Sequence, residues 1–265
     1  MPVFQTLYYA YIDAGLVPLT GYNPWHLHNW RDAPFTVFLQ GNEEIRATDQ
    51  GGLALQEVMF LENLGTLLSP KNCLIIGNAF GWSTVATALT FRGAKTVGMD
   101  NFPVNEGLDL TNRIFKKLDL DGTAVMGESP KDVAGICDEY LDGPLDFVLV
   151  DADHTNEALI ADFWATKGKA SSDCVYLFHD VLNFNMVDGF SRILKESHLD
   201  GRLLTKTPSG MAIAYEKDKV NRAFIDYLEV FSDDLKLYQG YRKLAEQTTK
   251  GRNPFLLYND DRFNG

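Results

Sequence analysis

Basic residues and cysteines are both scarce in this chain of 265 residues. Lys and Arg number 24 against 36 Asp and Glu, which leaves a formal net charge of −12 at pH 7. Nucleic acids and anionic membranes are bound by basic faces, so this balance argues against either as a partner. The three cysteines are odd in number and widely spaced. They indicate buried thiols in a reducing cytoplasm rather than a disulfide framework.

Long hydrophobic runs and phosphate-binding glycine motifs are also missing. No apolar stretch approaches the ~20 residues that a membrane-spanning helix needs, and the N-terminus lacks the features of a signal peptide. A dinucleotide fingerprint would need glycines at 77, 79 and 82, where the chain has Gly77, Ala79 and Trp82. No Gly-Lys-Ser/Thr follows, so the segment is not a P-loop. The missing glycines disfavour a nicotinamide oxidoreductase.

The segment from residue 73 to residue 100 carries the clearest pattern in the chain. An apolar run over residues 73–76 predicts a buried strand, GNAFG over residues 77–81 predicts a turn, and a helix follows from Ser83 to Gly93. A second predicted strand ends on Asp100. Glycines admit a close ligand, a helix N-terminus offers free N–H groups, and a strand-end acid can bind ribose hydroxyls. The pattern predicts half of a nucleotide-binding unit, although a GxxxG turn is also compatible with tight packing alone.

Strands and helices alternate along the rest of the chain. Further strands are predicted at 123–126, 145–150 and 174–178, with helices at 53–68, 108–118, 131–141 and 156–167. The last two strands, at 202–205 and 211–215, are joined by a link too short for a parallel crossover, so they must pair antiparallel. The prediction is therefore an α/β three-layer sandwich, with a Rossmann-like, mostly parallel seven-stranded sheet and an antiparallel last strand.

Three regions are predicted. Residues 1–52 form an aromatic-rich N-terminal arm, with a short helix near residues 4–12 and an irregular stretch at 18–30 containing His26 and His28. That stretch is either a lid over a substrate pocket or an arm that packs its aromatics on the core. Residues 53–216 form the core. Residues 217–265 form a helix and a tail that pack on the core or on a subunit partner in a homo-oligomer.

Every predicted parallel strand ends on polar or glycine-rich residues. In an open parallel sheet these ends lie along one edge, which is where ligands bind. Any single acid among them could merely cap the following helix. Polar ends on all five strands together indicate a ligand site instead, and they are 77–81, 100–101, 127–129, 151–154 and 179–180.

The sequence LDFVLVDADHTNEALIADFW (residues 145–164), followed by CVYLFHDV (residues 174–181), resembles a known family. It is similar to the metal-associated class I S-adenosylmethionine (SAM) O-methyltransferases, in the bacterial branch with D-x-D-H-x-x-E-A and a later H-D-hydrophobic segment. Catechol and macrocin-type sugar O-methyltransferases are relatives. The GxxxGxS of residues 77–83 resembles motif I of the same family, and the resemblance covers about residues 53–215.

The resemblance implies a set of cofactor contacts at the strand ends. Asp100 with Asn101 would hold the ribose, and Glu128 and Ser129 would flank the adenine. Most relatives carry an acid two residues before the first motif glycine, where this chain has Ile75. Asn78 or Asp151 could accept from the cofactor's amino group instead. The methionine part would lie on the motif I segment, whose residues are Gly77, Asn78, Ala79, Phe80, Gly81 and Ser83.

The resemblance also implies a metal site and a base. Asp151, His179 and Asp180 would hold a divalent metal, Mg²⁺ or Mn²⁺, and the imidazole at 179 favours the softer ion. His154, three residues after Asp151, would be the general base, since its ordinary pKa of about 6.5 suits proton removal. A histidine at a helix start can also simply bond a local carbonyl.

The predicted function is O-methylation of a hydroxyl on a small molecule in cytoplasmic small-molecule biosynthesis. SAM would be the donor, a divalent metal would assist, and Asp151 and His154 would be catalytic. An N- or C-methyltransferase without metal is an alternative, as is a catalytically silent SAM-fold binding or partner protein.

Overall fold

The computed structural model describes residues 2–20, 35–40, 46–47, 51–101 and 105–234. Most of the predicted lid at 18–30 and all of the tail after residue 234 lie outside the described residues. The first described elements are a helix and a small antiparallel sheet in which β2 pairs with β1, β3 and β4. Their bounds are α1 (Val3–Asp13), β1 (Val17–Leu19), β2 (Phe35–Gln40), β3 (Arg46–Ala47) and β4 (Gly52–Leu53).

The main sheet has seven strands in the order β10-β11-β9-β8-β5-β6-β7. The five strands from β9 to β7 are parallel, and β11 runs antiparallel to both β9 and β10. This confirms the predicted fold, including the reversed last strand. The strands are β5 (Asn72–Ile76), β6 (Lys95–Asp100), β7 (Gly122–Met126), β8 (Leu145–Val150), β9 (Ala170–Phe178), β10 (Asp200–Leu204) and β11 (Met211–Tyr215).

Helices cover both faces of this sheet. Side chains alternate along each strand, so Ile75 and Leu149 face one hydrophobic cluster while Leu74 and Val148 face the other. Helices α1 to α4 and α8 contribute to the first cluster, and α5 to α7 contribute to the second. The further helices are α2 (Leu55–Leu64), α3 (Trp82–Thr90), α4 (Asn105–Leu118), α5 (Val133–Tyr140), α6 (Asn156–Lys167), α7 (Val187–Ser197) and α8 (Arg222–Phe231).

The N-terminal elements pack on the turn after β5. Tyr11 of α1 stacks on Phe38 of β2 with ring centroids 4.8 Å apart, and its hydroxyl donates to the Phe80 carbonyl at 2.8 Å. The Trp82 indole donates to the Leu53 carbonyl at 2.9 Å. A helix near residues 4–12 is therefore confirmed. The small sheet it accompanies was not predicted.

The remaining differences concern element bounds. Helix α2 begins two residues later than predicted because Leu53 is already paired in β4. Strand β9 begins four residues earlier than predicted, at Ala170. Its first four residues are polar or partly exposed, so they did not belong to the apolar run that indicated the strand. Helix α7 was missed, although Phe190 and Ile193 on its buried side carry helical spacing.

The structure also bears on the few cysteines and on the lack of long apolar runs. All three cysteines are buried and free, as their positions in apolar segments indicate. Among the helices in the described part of the chain, none combines the length and apolar character needed to cross a membrane.

Candidate active site

A cavity of about 770 Å³ lies at the carboxyl ends of the parallel strands. It includes the point where the chain, having placed β6 and β7 on one side of β5, crosses to β8 on the other side. Such switch points are where open α/β sheets bind ligands. The predicted residues that line it are Gly77, Ala79, Asp100, Asn101, Glu128, Ser129, Asp151, His154, His179 and Asp180.

The cavity lining does not include the other four predicted cofactor residues, Asn78, Phe80, Gly81 and Ser83. The Asn78 side chain is buried, accepts from the Thr84 hydroxyl at 2.8 Å and donates to the Thr111 hydroxyl at 3.1 Å. The Phe80 ring packs near Phe38. These side chains hold the shape of the turn, and their cofactor contacts stay a prediction.

Glycine is required at the point where the turn after β5 passes close to the end of β8. Gly77 has a φ of +94°, and a Cβ there would overlap the Asp151 backbone carbonyl. The turn is also tied to the neighbouring strand, because the Ala79 N–H donates to the Asp100 carboxylate at 2.6 Å. The ends of β5, β6 and β8, which are parallel neighbours in the sheet, thus form one cavity wall.

His179, at the end of β9, lies between carboxylates. Its Nδ1 is 2.9 Å from Asp151 Oδ1 and 3.3 Å from Asp180 Oδ2, and its Nε2 is 2.8 Å from Glu57 Oε2. Carboxylates in hydrogen bonds of this kind accept, so both ring nitrogens donate. His179 therefore offers no free nitrogen in this arrangement.

His154 follows β8 in the loop before α6. Its Nε2 is 3.2 Å from Asp180 Oδ2 and 3.9 Å from Asp151 Oδ1. This atom is buried and makes no hydrogen bond of acceptable geometry. The ring stacks on Phe184 with centroids 4.2 Å apart. The helix-start alternative is not supported for Nε2, which faces the two carboxylates.

Burial and charge act in opposite directions on this cluster. Burial alone lowers the pKa of His154, but the nearby carboxylates of Asp151 and Asp180 outweigh burial and raise that pKa to about 9. Burial likewise lowers the pKa of His179, and the surrounding carboxylates raise it well above its ordinary value. Burial raises the pKa of Asp180, but the two histidines have the larger effect and lower that pKa below its ordinary range. The same balance lowers the pKa of Asp151.

The cluster fits a divalent cation. One ligand atom each from Asp151, His154 and Asp180 lie within 4.8 Å of one another. The buried, unpaired Nε2 of His154 and two carboxylates form a mixed nitrogen and oxygen donor set. The predicted set had His179 in place of His154, and both ring nitrogens of His179 already contact carboxylates.

Two functional candidates were missed by the sequence analysis. Glu57 of α2 is fully buried beside His179, and Asp162 of α6 lines the cavity at the β7 end. The Ser129 hydroxyl donates to Asp162 Oδ1 at 2.5 Å. Each acid lies on the buried side of its helix, Glu57 with Leu61 and Asp162 with Leu159. An acid at an apolar helical spacing was the available signal.

Residues 74–181 match the family model of a methyltransferase domain. Among curated proteins, no sequence match is found. Similar solved structures include an O-methyltransferase from Bacillus cereus in complex with S-adenosylhomocysteine (SAH), at 19% identity, 62% of this chain, 82% of that chain and a TM-score of 0.52.

Two further structures show the same likeness. The O-methyltransferase TomG from Streptomyces achromogenes, involved in tomaymycin synthesis and in complex with SAM, is 14% identical over 62% of this chain and 81% of its own, with a TM-score of 0.52. A methyltransferase from Geobacter sulfurreducens is 14% identical over 78% and 93%, with a TM-score of 0.51. At these identities the structures establish a shared fold. The region that matches the methyltransferase domain, residues 74–181, contains the ends of strands β5 to β9 that form the site.

Proposed function

We propose that the protein transfers the methyl group of SAM to a hydroxyl oxygen of a small molecule, with a divalent metal assisting. The observation that carries this proposal is the triangle of Asp151, His154 and Asp180 in one wall of the cavity. A cavity of about 770 Å³ lies within the range of small-molecule sites, roughly 300–1,000 Å³.

The order of the strand ends supports one orientation of the cofactor. The methionine part would lie over Gly77 beside Asp151, and the ribose hydroxyls would bond Asp100 at the end of β6. The adenine would then lie at the β7 end, near Glu128 and Ser129. The cavity there has the apolar walls that a flat base needs, from Met99, Pro130, Ala158 and Ala161.

Asp162 would recognise the adenine amino group at that end. Asp162 is 4% exposed and lines the cavity, and the Ser129 hydroxyl already donates to its Oδ1. A carboxylate only accepts hydrogen bonds, whereas the exocyclic amine of adenine donates. This pairing would distinguish adenine from a base with a carbonyl at the same position.

Asp151 and Asp180 would hold the metal, with the His154 nitrogen beside them. A divalent cation there supplies positive charge to stabilise a substrate oxygen as it becomes negative. The oxygen ligands suit Mg²⁺, and the nearby imidazole suits Mn²⁺.

His154 would receive the hydroxyl proton on Nε2, because a cation on Asp151 and Asp180 would offset the two negative charges that raise the pKa of His154 in the metal-free protein. The substrate O–CH₃ bond forms as the S–CH₃ bond of SAM breaks, and the sulfonium becomes the neutral sulfur of SAH. The methyl donor already carries a good leaving group, so the protein contributes mainly position and charge.

The test is a calorimetric titration of SAH into chelator-treated protein, repeated with Mg²⁺ and with Mn²⁺. We expect SAH binding that is lost in Asp100→Ala and kept in Asp109→Ala, an exposed acid of α4. Transfer from SAM to hydroxylated acceptors should then require metal. Metal-independent transfer to nitrogen or carbon would contradict O-methylation, and SAH binding without any transfer would favour a silent binding protein.

A further inference from the structure

Glu57 is a buried acid outside the matched methyltransferase domain, and every contact described for it is a hydrogen-bond donor. Its side chain is 0% exposed. Oε2 accepts from the Ala54 N–H at 2.9 Å and faces His179 Nε2 at 2.8 Å. Oε1 accepts from the Ser209 N–H at 2.9 Å and from the Ser209 hydroxyl at 2.5 Å. Both oxygens are therefore saturated by the fold.

We propose that Glu57 is a positioning residue for methyl transfer, because it holds His179 in the orientation that fixes Asp151 and Asp180 toward His154. The inference rests on the proposed metal-assisted function, and Glu57 itself would touch neither the methyl acceptor nor the metal.

The contacts form a chain from α2 to the cavity. Glu57 accepts a hydrogen bond from one ring nitrogen of His179. The other ring nitrogen contacts Asp151 Oδ1 and Asp180 Oδ2. One oxygen of Asp151 is thus committed to His179. Groups that orient metal-binding carboxylates in this way tune a site without entering it.

Ser209 closes the chain on the other side. Its hydroxyl donates to Glu57 and accepts from the Asp180 backbone N–H at 3.4 Å. Asp180 has a φ of +57°, an uncommon conformation for a residue with a side chain, and Asn183 donates to its Oδ1 at 3.0 Å. Oδ2 is left facing His154 and His179.

A neutral amide cannot replace this carboxylate. All four contacts of Glu57 are donors, and the N–H groups of Ala54 and Ser209 are fixed in the backbone. The –NH₂ of a glutamine would face at least one donor on either side. Glu57→Gln should therefore release His179, while Glu57→Asp keeps the charge but shortens the reach.

The experiment is a Mn²⁺ titration of the chelator-treated protein, followed by the electron paramagnetic resonance of free Mn²⁺. Glu57→Gln should bind Mn²⁺ about tenfold to a hundredfold more weakly than the wild type, with Glu57→Asp between them. The SAH affinities of the wild type, Glu57→Gln and Glu57→Asp should agree within about twofold. Glu62→Gln is the matched control, because this acid of α2 accepts from the Val3 N–H and does not contact His179 in the described contacts.

Wild-type protein that binds no Mn²⁺ would contradict the metal-assisted function and this proposal together. Equal Mn²⁺ binding by the wild type and both Glu57 variants, with SAH binding intact, would contradict this proposal alone. If Glu57→Gln fails to fold, Ser209→Ala takes its place, because it removes one donor from Glu57 and should weaken Mn²⁺ binding in the same direction. Unchanged binding in that variant would overturn the proposal.

In turnover assays the same variants should lower kcat while the KM for SAM changes little. A general packing defect would instead change SAH binding and the unfolding temperature first, so the two explanations are separable.

Discussion

His154 has two possible roles in the cluster, because its Nε2 faces the carboxylates that would hold the metal. As the proposed base, it can be removed without loss of metal affinity. We expect His154→Asn to lower kcat about a hundredfold to ten-thousandfold and to leave Mn²⁺ affinity within about twofold. His198→Asn, in an exposed left-handed position after α7, is the control. A parallel loss of Mn²⁺ affinity would show that His154 is a ligand.

The pKa of His154 also predicts a pH dependence of stability in the metal-free protein. Burial alone lowers this pKa, but Asp151 and Asp180 raise it to about 9, above its ordinary value of 6.5. The charged form therefore adds stability that is complete below pH 6.5 and is lost as pH rises through 9. In chelator, the difference in unfolding temperature between the wild type and His154→Asn should shrink across this window. A constant difference would contradict the prediction.

Asp162 gives a test of cofactor recognition that does not involve metal. The wild type should bind SAH more tightly than S-inosylhomocysteine, which has a carbonyl in place of the amine. Asp162→Asn should weaken SAH binding about tenfold or more, since a hydrogen bond to a charged group is lost. The same change should reduce the preference for SAH over S-inosylhomocysteine, because the amide of the new asparagine side chain can donate to the base carbonyl of S-inosylhomocysteine. Glu157→Gln, an exposed acid of α6, should change neither affinity, and an unchanged preference in Asp162→Asn would contradict the assignment.

At the scale of elements, the close approach of the turn after β5 to the end of β8 depends on the missing side chain of Gly77. Gly77→Ala places a Cβ into the Asp151 carbonyl at a φ of +94°, so we expect SAH binding to be abolished and the unfolding temperature to fall. Gly93→Ala has a nearly equal φ of +95° with no atom within 4 Å of its new Cβ. That control bears only the conformational cost, roughly 1–2 kcal/mol. Equal effects of the two variants would contradict a role for the close approach of Gly77 to Asp151.

Elements whose ends are marked in the sequence by polar or turn-forming residues could be predicted. The strands of the main sheet and many of the site residues that follow them belong to this group. Helix α6 begins and ends where its pattern does, and apolar runs followed by Asp100 or Asp151 indicate strand ends. Strand β2 was not predicted although Pro34 and Gly41 flank it, and its pairing with β1, β3 and β4 is not encoded by any local pattern. Glu57 meets His179 across 122 residues and Ser209 across 152, and no local pattern encodes such contacts.

At the scale of the whole molecule, the N-terminal elements share a hydrophobic core with the region that matches the family model. Leu7, Tyr11 and Phe38 belong to the same buried cluster as Val85 of α3 and Ile213 of β11. Segments joined by a common core unfold together, because separating them exposes apolar surface on both sides. The turn that carries Gly77 is therefore supported from outside the matched domain.

This shared core predicts one cooperative unfolding transition that includes α1. Tyr11→Ala removes a fully buried ring and the hydrogen bond to the Phe80 carbonyl, so it should cost about 3–5 kcal/mol of unfolding free energy and weaken SAH binding. Tyr9→Ala, on the same helix but 55% exposed, should change little. Far-ultraviolet circular dichroism and tryptophan fluorescence should give coincident transitions that shift together in Tyr11→Ala. Separate transitions, or an unshifted one, would mean that α1 folds independently and that the turn holds its shape without it.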